Sequence, residues 1–542
     1  LSTGFLVLLP LSAIAAELPA SKFGQCLEKL RNNGSTFGLT DSKGKNVGNA
    51  SDATGVTYQR CISDCGLGGG QEPFEWSVFS RQFSSWLLPW LALISQLPFG
   101  PKDRLDNLES VFLTVGSPTL AAYSLALTIL NSRWISRLFS KYTYPNVGNA
   151  VRALSSLQQS PLRLSDDTAL LSSLVVLPQN DKWWKELIEW LHDLRESVNA
   201  SGQGVGSLWL WLLPIVIGDG LRNAMERANM LAHVATETQP IPARELPQPR
   251  AMFLALTEDD SLRCDERITA PIYNYARFLP WVETVEKVSD VFRAASARYH
   301  RHESVDPLVH WVNVDPSEKP HERNRIGNRL QLEWYCGMQG RLSPTGNDVR
   351  RRRWGSNITS RIIIASALAV LLTWGTVGAA IVIVWHTPTT GLGCRSASYI
   401  LFGVLSTLVW IMLLSSSIFS HFALSKPHSF KDHPDRSWPR VIARRLSITL
   451  RRLGKLVAAF NAIWIVATCF FQFSNFYDRC YCNSSVFQWR DAAYNVIAIT
   501  DADAGEMKSA WIGGTCLAAA TAAIFIGFVI TYINPPPPEE LH

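Results

Sequence analysis

Four uninterrupted apolar stretches in the last third of the chain restrict its fold more than any other feature. They are "IIIASALAVLLTWGTVGAAIVIVW" (362–385), "YILFGVLSTLVWIMLLSSSIF" (399–419), "LVAAFNAIWIVATCFFQF" (456–473) and "AWIGGTCLAAATAAIFIGFVITYI" (510–533). Each approaches or exceeds the ~20 residues that a helix needs to cross a hydrocarbon core. Lipid offers no partner to backbone amides and carbonyls, so such a run must satisfy its own hydrogen bonds. None shows the alternation of a barrel strand, and none holds Asp, Glu, Lys or Arg. An all-α, multi-pass transmembrane bundle follows. The charged fraction of 18%, against about 25% in soluble domains, agrees.

Three weaker runs lie earlier, at about 84–99, 110–130 and 206–222. The first and third are short and each is broken by proline in the repeated tetrapeptide Trp-Leu-Leu-Pro, at Trp86–Pro89 and Trp211–Pro214. Basic residues favour the cytoplasmic side of a span. Arg350–Arg353 therefore place the start of the 362–385 span inside, and the Lys/Arg-rich 425–455 connector is inside too. The stretch "GFLVLLPLSAIAAE" (4–17) has the short apolar core and small residues of a secretory signal, whose basic front would precede Leu1. A cleaved signal puts the mature N-terminus outside, which demands an odd number of spans before Arg350. Seven spans are preferred and five are the alternative; both leave the C-terminus cytosolic. Against seven, Arg133, Arg137 and Lys141 would lie outside; for seven, Asn199 becomes a luminal acceptor.

The resulting division is a partial signal peptide (1–16), a luminal or extracellular cysteine-containing domain (17–76) and an N-terminal membrane region (77–222). A cytosolic domain (223–361), the four-span bundle (362–533) and a proline-rich cytosolic tail (534–542) follow. Two amphipathic helices are expected by spacing: one through Trp184, Leu187, Leu191 and Leu194, another through Val282, Val285, Val288 and Phe292.

This topology sorts the cysteines. Cys26, Cys61, Cys65, Cys394, Cys480 and Cys482 all fall outside, an even set in an oxidising compartment. In "FYDRCYCNSSVF" (476–487) one residue separates Cys480 from Cys482, which argues against a Cys-x-x-Cys redox pair. That loop has no histidine for a zinc site. Structural disulfides to different partners are expected, with Cys394 joined to Cys480 or Cys482 and the other member tied to the N-terminal domain. Asn33, Asn49, Asn199 and Asn483 stand in Asn-x-Ser acceptors that would face the glycosylation machinery. Asn357 begins an Asn-x-Thr acceptor on the inner side.

Enzyme chemistry finds little support. The acidic "EDDSLRCDE" (258–266) lacks a second acidic motif near a span. His300 and His302 are two apart and diverge on a helix. Neither a Gly-x-Ser-x-Gly elbow nor a phosphate-binding loop occurs. No catalytic residue, metal or cofactor is expected, and the net charge of +6 is too small and too close to the spans to indicate nucleic acid. The connector "PRVIARRLSITLRRLGK" (439–455) sets Ile442, Leu446, Leu450 and Leu453 against Arg444, Arg445, Arg451 and Arg452. That pattern predicts a helix on the cytoplasmic surface, with the arginines on anionic lipid. Glycines and alanines in the spans permit close helix approach, including that of a homo-oligomer.

"FSSWLLPWLALISQLPFG", "GLGCRSASYILFGVLSTLVW" and "CYCNSSVF" resemble an uncharacterised family of multi-pass membrane proteins of filamentous fungi, over most of the chain. The resemblance implies a membrane protein and carries no activity or functional residues. The function expected is that of a non-enzymatic surface sensor, receptor-like or scaffolding protein of the secretory pathway, at the plasma membrane. A transporter or channel is the alternative.

Overall fold

The computed structural model describes residues 23–65, 80, 104–156, 158, 168–181, 183–184, 273–312, 321–337, 355, 357–424, 438–473, 476–477 and 479–532. The expected signal, the apolar runs at 84–99 and 206–222, Leu187, Leu191, Leu194, Asn199, the acidic 258–266 stretch and the tail lie outside these residues. In chain order the elements begin with α1 (Phe23–Asn32), β1 (Leu39–Thr40), β2 (Gly55–Thr57) and α2 (Tyr58–Cys65). Then come α3 (Arg104–Gly116), α4 (Pro118–Phe139), α5 (Val147–Ser156), α6 (Thr168–Val176), α7 (Phe278–His300) and α8 (Arg329–Tyr335). The last third holds α9 (Ile358–Trp385), α10 (Cys394–Leu424), α11 (Trp438–Phe473), the short α12 (Cys480–Asn483) and α13 (Val486–Trp489), β3 (Tyr494–Val496) and α14 (Asp501–Tyr532).

Helices α9, α10, α11 and α14 are long and apolar enough to cross a membrane, and the pair α3–α4 makes a fifth candidate if it counts as one span. Between 28% and 39% of each long helix's apolar window is buried. Most of each surface is thus left for lipid, as expected of a membrane protein. The helices outrun their apolar windows. At ~1.5 Å per residue, the 36 residues of α11 extend well past a ~30 Å hydrocarbon layer. The basic connector is therefore no separate surface helix; it is the first turns of α11.

The chain forms two compact units. One comprises residues 1–88, 374–404 and 463–520. Its only sheet among the described residues has the order β1-β2-β3, antiparallel throughout, with Leu39 opposite Val56 and Val56 opposite Asn495. An all-α expectation omits this sheet, whose strands are only two or three residues long. Strand β3 arrives from the loop between the last two long helices. Gly55 makes the approach feasible, because a Cβ there would sit 2.5 Å from the Asn495 carbonyl oxygen. Beneath the sheet, Leu27, Leu30, Leu39, Ala53 and Val56 pack with Cys26, Cys61, Cys65 and Cys480 into one core.

The other unit comprises residues 89–373, 405–462 and 521–542. Its axis is α4, buried on every face from Pro118 to Asn131. Helix α7 presents Val282, Val285, Val288 and Phe292 to the interior, all buried, in agreement with their helical spacing. A bidentate pair fixes the non-spanning part: Arg325 Nη1 and Nη2 donate to Asp181 at 2.6 and 2.7 Å. Its Nε donates to the Val176 carbonyl at 2.8 Å. The Arg325 side chain is 3% exposed, so its charge depends on this fork.

Candidate functional site

Two constructions stand out, a disulfide-stapled module in the first unit and a polar helix break in the second. In the module, Cys26 joins Cys65, Cys61 joins Cys480, and Cys394 joins Cys482, with Cα separations of 5.5, 5.8 and 4.8 Å. The neighbours Cys480 and Cys482 reach different partners because α12 is a helix, on which residues two apart point in nearly opposite directions. Cys480 turns into the core of the N-terminal module. Cys482 turns to the first residue of α10.

Hydrogen bonds continue the junction. Val496 N donates to Thr389 Oγ1 at 2.9 Å, Ser485 Oγ to the Thr389 carbonyl at 3.2 Å, and Leu392 N to Gln488 Oε1 at 2.9 Å. Tyr58 N donates to the Ala493 carbonyl at 2.8 Å. The N-terminal module, the 386–393 loop and the 474–500 loop are thus one cross-linked body. Thr500 ends it and starts α14, its hydroxyl donating to Asp503 Oδ2 at 2.7 Å while Asp503 N donates back at 3.3 Å. The Lys43–Glu506 pair at 3.1 Å is exposed on both sides and adds little.

In the second unit α3 and α4 meet at 96°, so the 110–130 run is not a straight span. The local sequence Gly116-Ser117-Pro118 dictates the break. Pro118 has no amide to continue the helix and suits the first position of a new one. Ser117 caps that helix, accepting from Leu120 N at 3.3 Å. The backbone groups freed by the break are met from neighbouring helices. Asn461 Nδ2 donates to the Gly116 carbonyl at 2.7 Å and Ser406 Oγ accepts from Thr119 N at 3.4 Å, while Ser117 Oγ donates outward to the Ser406 carbonyl at 2.9 Å. Thr119 Oγ1 lies 2.9 Å from Ser406 Oγ and donates to Thr373 Oγ1 at 3.1 Å. Gly116 lies against α11 so closely that a Cβ would be 2.0 Å from the Ala458 carbonyl oxygen. Lys455 pairs with Glu109 at 2.7 Å beside it.

The remaining predicted residues fall as follows. Asn33 and Asn49 are exposed, while Asn483 is half-buried and donates its Nδ2 to the Val496 carbonyl at 2.9 Å. The Ser485 hydroxyl of the same acceptor is buried. Arg444, Arg445 and Arg452 are exposed. Arg451 corrects the expectation of lipid contact: it is 1% exposed. Its Nε donates to Ser416 Oγ at 3.3 Å, where Ser416 and Ser447 exchange hydroxyl-to-carbonyl bonds of 2.8 Å. These small side chains draw α10 and α11 together and enclose the guanidinium. Ile442, Leu446 and Leu453, on the apolar face of the connector, are exposed.

No group of three or more His, Cys, Asp or Glu suited to a metal occurs among the described residues. Burial pushes the Cys336 thiol up to about 12, which removes it as a nucleophile. No protein-family model, curated protein or solved structure matches the chain.

Proposed function

We propose that the chain is a non-enzymatic membrane sensor or scaffold whose N-terminal module faces the outside and whose C-terminus is cytosolic, in the secretory pathway and at the plasma membrane. The observation that carries this reading is the Cys61–Cys480 bond with the β2–β3 pairing. Together with the Cys394–Cys482 bond they make the N-terminal module continuous with the 386–393 and 474–500 loops, two of the three that join the last four long helices. A force or ligand acting on the module is thereby delivered to helix ends, not dissipated in a linker. Glycans on Asn33 and Asn49 suit an outside location. Asn483 would have to be modified before the junction closes. Arg444, Arg445 and Arg452 are the anionic-lipid contacts on the opposite side, and a homo-oligomer through the exposed spans is compatible with this role.

A transporter is the second reading, favoured by the α3–α4 break, since discontinuous helices build substrate sites. Here protein side chains already satisfy the broken ends, which favours a closed, packed joint. The test uses the full chain in nanodiscs, with nitroxides on an unnatural ketone residue at Ile363 and at Thr449. The sensor reading predicts that Cys61→Ser/Cys480→Ser redistributes the distance between the two labels. An unchanged distribution, with ion or solute flux in proteoliposomes, would refute it in favour of transport.

A further inference from the structure

The register of α4 against the long helices fixes how far the α3–α4 pair reaches. Thr119 Oγ1 donates to Thr373 Oγ1 at 3.1 Å. Twelve positions further along α4, Asn131 Oδ1 accepts from Arg361 Nη1, twelve positions back along α9. Arg361 also stacks on Trp134, its Cζ 4.0 Å from the ring centroid. The two helices therefore run antiparallel and in step. Thr373 stands midway between Arg361 and Trp385, about 18 Å from each at ~1.5 Å per residue. Helix α4 thus starts at mid-depth and runs to the side where α9 begins. Consecutive spans alternate in direction, so α11 begins and α14 ends on that side too. Arg133 agrees, its Cζ lying 4.2 Å from the ring centroid of Tyr532, the last residue of α14.

The other arm returns to the same side. At the break, Asn461 Nδ2 donates to the Gly116 carbonyl at 2.7 Å. Earlier in α3, Glu109 pairs with Lys455 at 2.7 Å. Lys455 lies six positions before Asn461, about 9 Å nearer the side where α11 begins. Basic residues flank both arms: Arg104 starts α3, Arg133 and Arg137 lie late in α4, and Lys141 follows it. A straight span would carry one of these groups to the outer face, whereas a hairpin keeps both on the side that basic residues favour. Broken backbone at membrane depth is tolerated where protein buries it, and α4 is buried from Pro118 to Asn131.

We infer that α3–α4 is a re-entrant hairpin, which enters from the side where α9 begins, turns at Gly116–Pro118 at mid-membrane and returns to that side. It adds no crossing, which removes the 110–130 run from the spans that precede Arg350. From the level of Arg361 onward, α4 packs on α7, with ring centroids 6.0 Å apart for Trp134 and Trp281 and 5.8 Å for Phe139 and Phe292. The hairpin is thus a strut between the mid-depth of the spans and the non-spanning part of the same unit. It holds for either orientation of the chain and needs no outside N-terminus.

The test is side-specific labelling of the full chain in sealed microsomes. p-Azidophenylalanine replaces Arg104, Ser140, Trp438 or Asp501, one per variant, and a membrane-impermeant cyclooctyne dye is added before or after opening with detergent. Trp438 begins α11 and marks the side where α9 begins, while Asp501 begins α14 and marks the other. The expected result is full labelling of positions 104, 140 and 438 in intact microsomes and none of 501 until they are opened. The reverse pattern at all four positions would overturn the proposed orientation and support the hairpin. Positions 104 and 140 on opposite sides would overturn the hairpin in favour of a span. Both siding with 501 would overturn its side of entry. Labels replacing Lys102 and Lys141 repeat both readings, so loss of one variant does not remove the test.

Discussion

Replacing Gly116 by alanine should destabilise the protein far more than the same change at Gly513, although both are glycines in apolar helices. An added Cβ at 116 would stand 2.0 Å from the Ala458 carbonyl oxygen, whereas carbon and oxygen rest at about 3.3–3.6 Å. The joint must open by roughly 1.3 Å to reach the lower of those values. The obstacle is backbone, so no rotamer change relieves it. Overpacking of this kind costs about 1–3 kcal/mol. The movement also loosens the Asn461 bond to the Gly116 carbonyl, at 2.7 Å, worth about 1 kcal/mol. The gain in helix propensity offsets at most ~1 kcal/mol, and less at the end of α3. The net expectation is a loss of about 2 kcal/mol. At Gly513 a Cβ meets nothing within 4 Å, so only the propensity gain operates. Both variants would be followed by denaturant titration in bicelles with tryptophan fluorescence. Equal stability of Gly116→Ala and Gly513→Ala would refute the close joint between α3–α4 and α11.

Arg451→Ala should cost about 1–3 kcal/mol through lost buried packing and the lost bond to Ser416. Arg444→Ala should leave stability unchanged and weaken binding to anionic vesicles by ~1 kcal/mol, about fivefold; sedimentation with vesicles and thermal melting separate the two. Cys336, its thiol pushed up to about 12 by burial, should resist iodoacetamide at pH 8 in the native protein and react after unfolding, as counted by intact mass. Glycopeptide mapping should find glycans on Asn33 and Asn49 and none on Asn357, since a glycan there would reverse the orientation of every later span.

Much of the membrane architecture was legible because hydropathy reports directly on lipid. It reports poorly on where a helix ends. The 456–473 window is the apolar part of a helix that begins at Trp438, since polar and basic residues continue a helix beyond lipid as readily as they begin one. The break in the 110–130 run was written as Gly-Ser-Pro, a stop, a cap and a first-turn proline, but hydropathy averages over such punctuation. The cysteine pattern indicated separate partners for Cys480 and Cys482. It could not indicate β3, whose three residues pair with a strand more than 400 positions earlier in a register that only the folded core defines. Arg451 looked like its neighbours on a basic face. Its burial follows from the Ser416–Ser447 crossing, a contact between two helices that no local pattern encodes.

The central claim is that the N-terminal module, the start of α10 and the 474–500 loop form one covalent body. Proteolysis of the full chain under non-reducing conditions, with free thiols blocked beforehand, tests it most directly by mass spectrometry. The account predicts three linkages: Cys26 to Cys65, Cys61 to Cys480 and Cys394 to Cys482. A blocked free thiol at Cys480, or Cys61 linked within the N-terminal module instead, would contradict it.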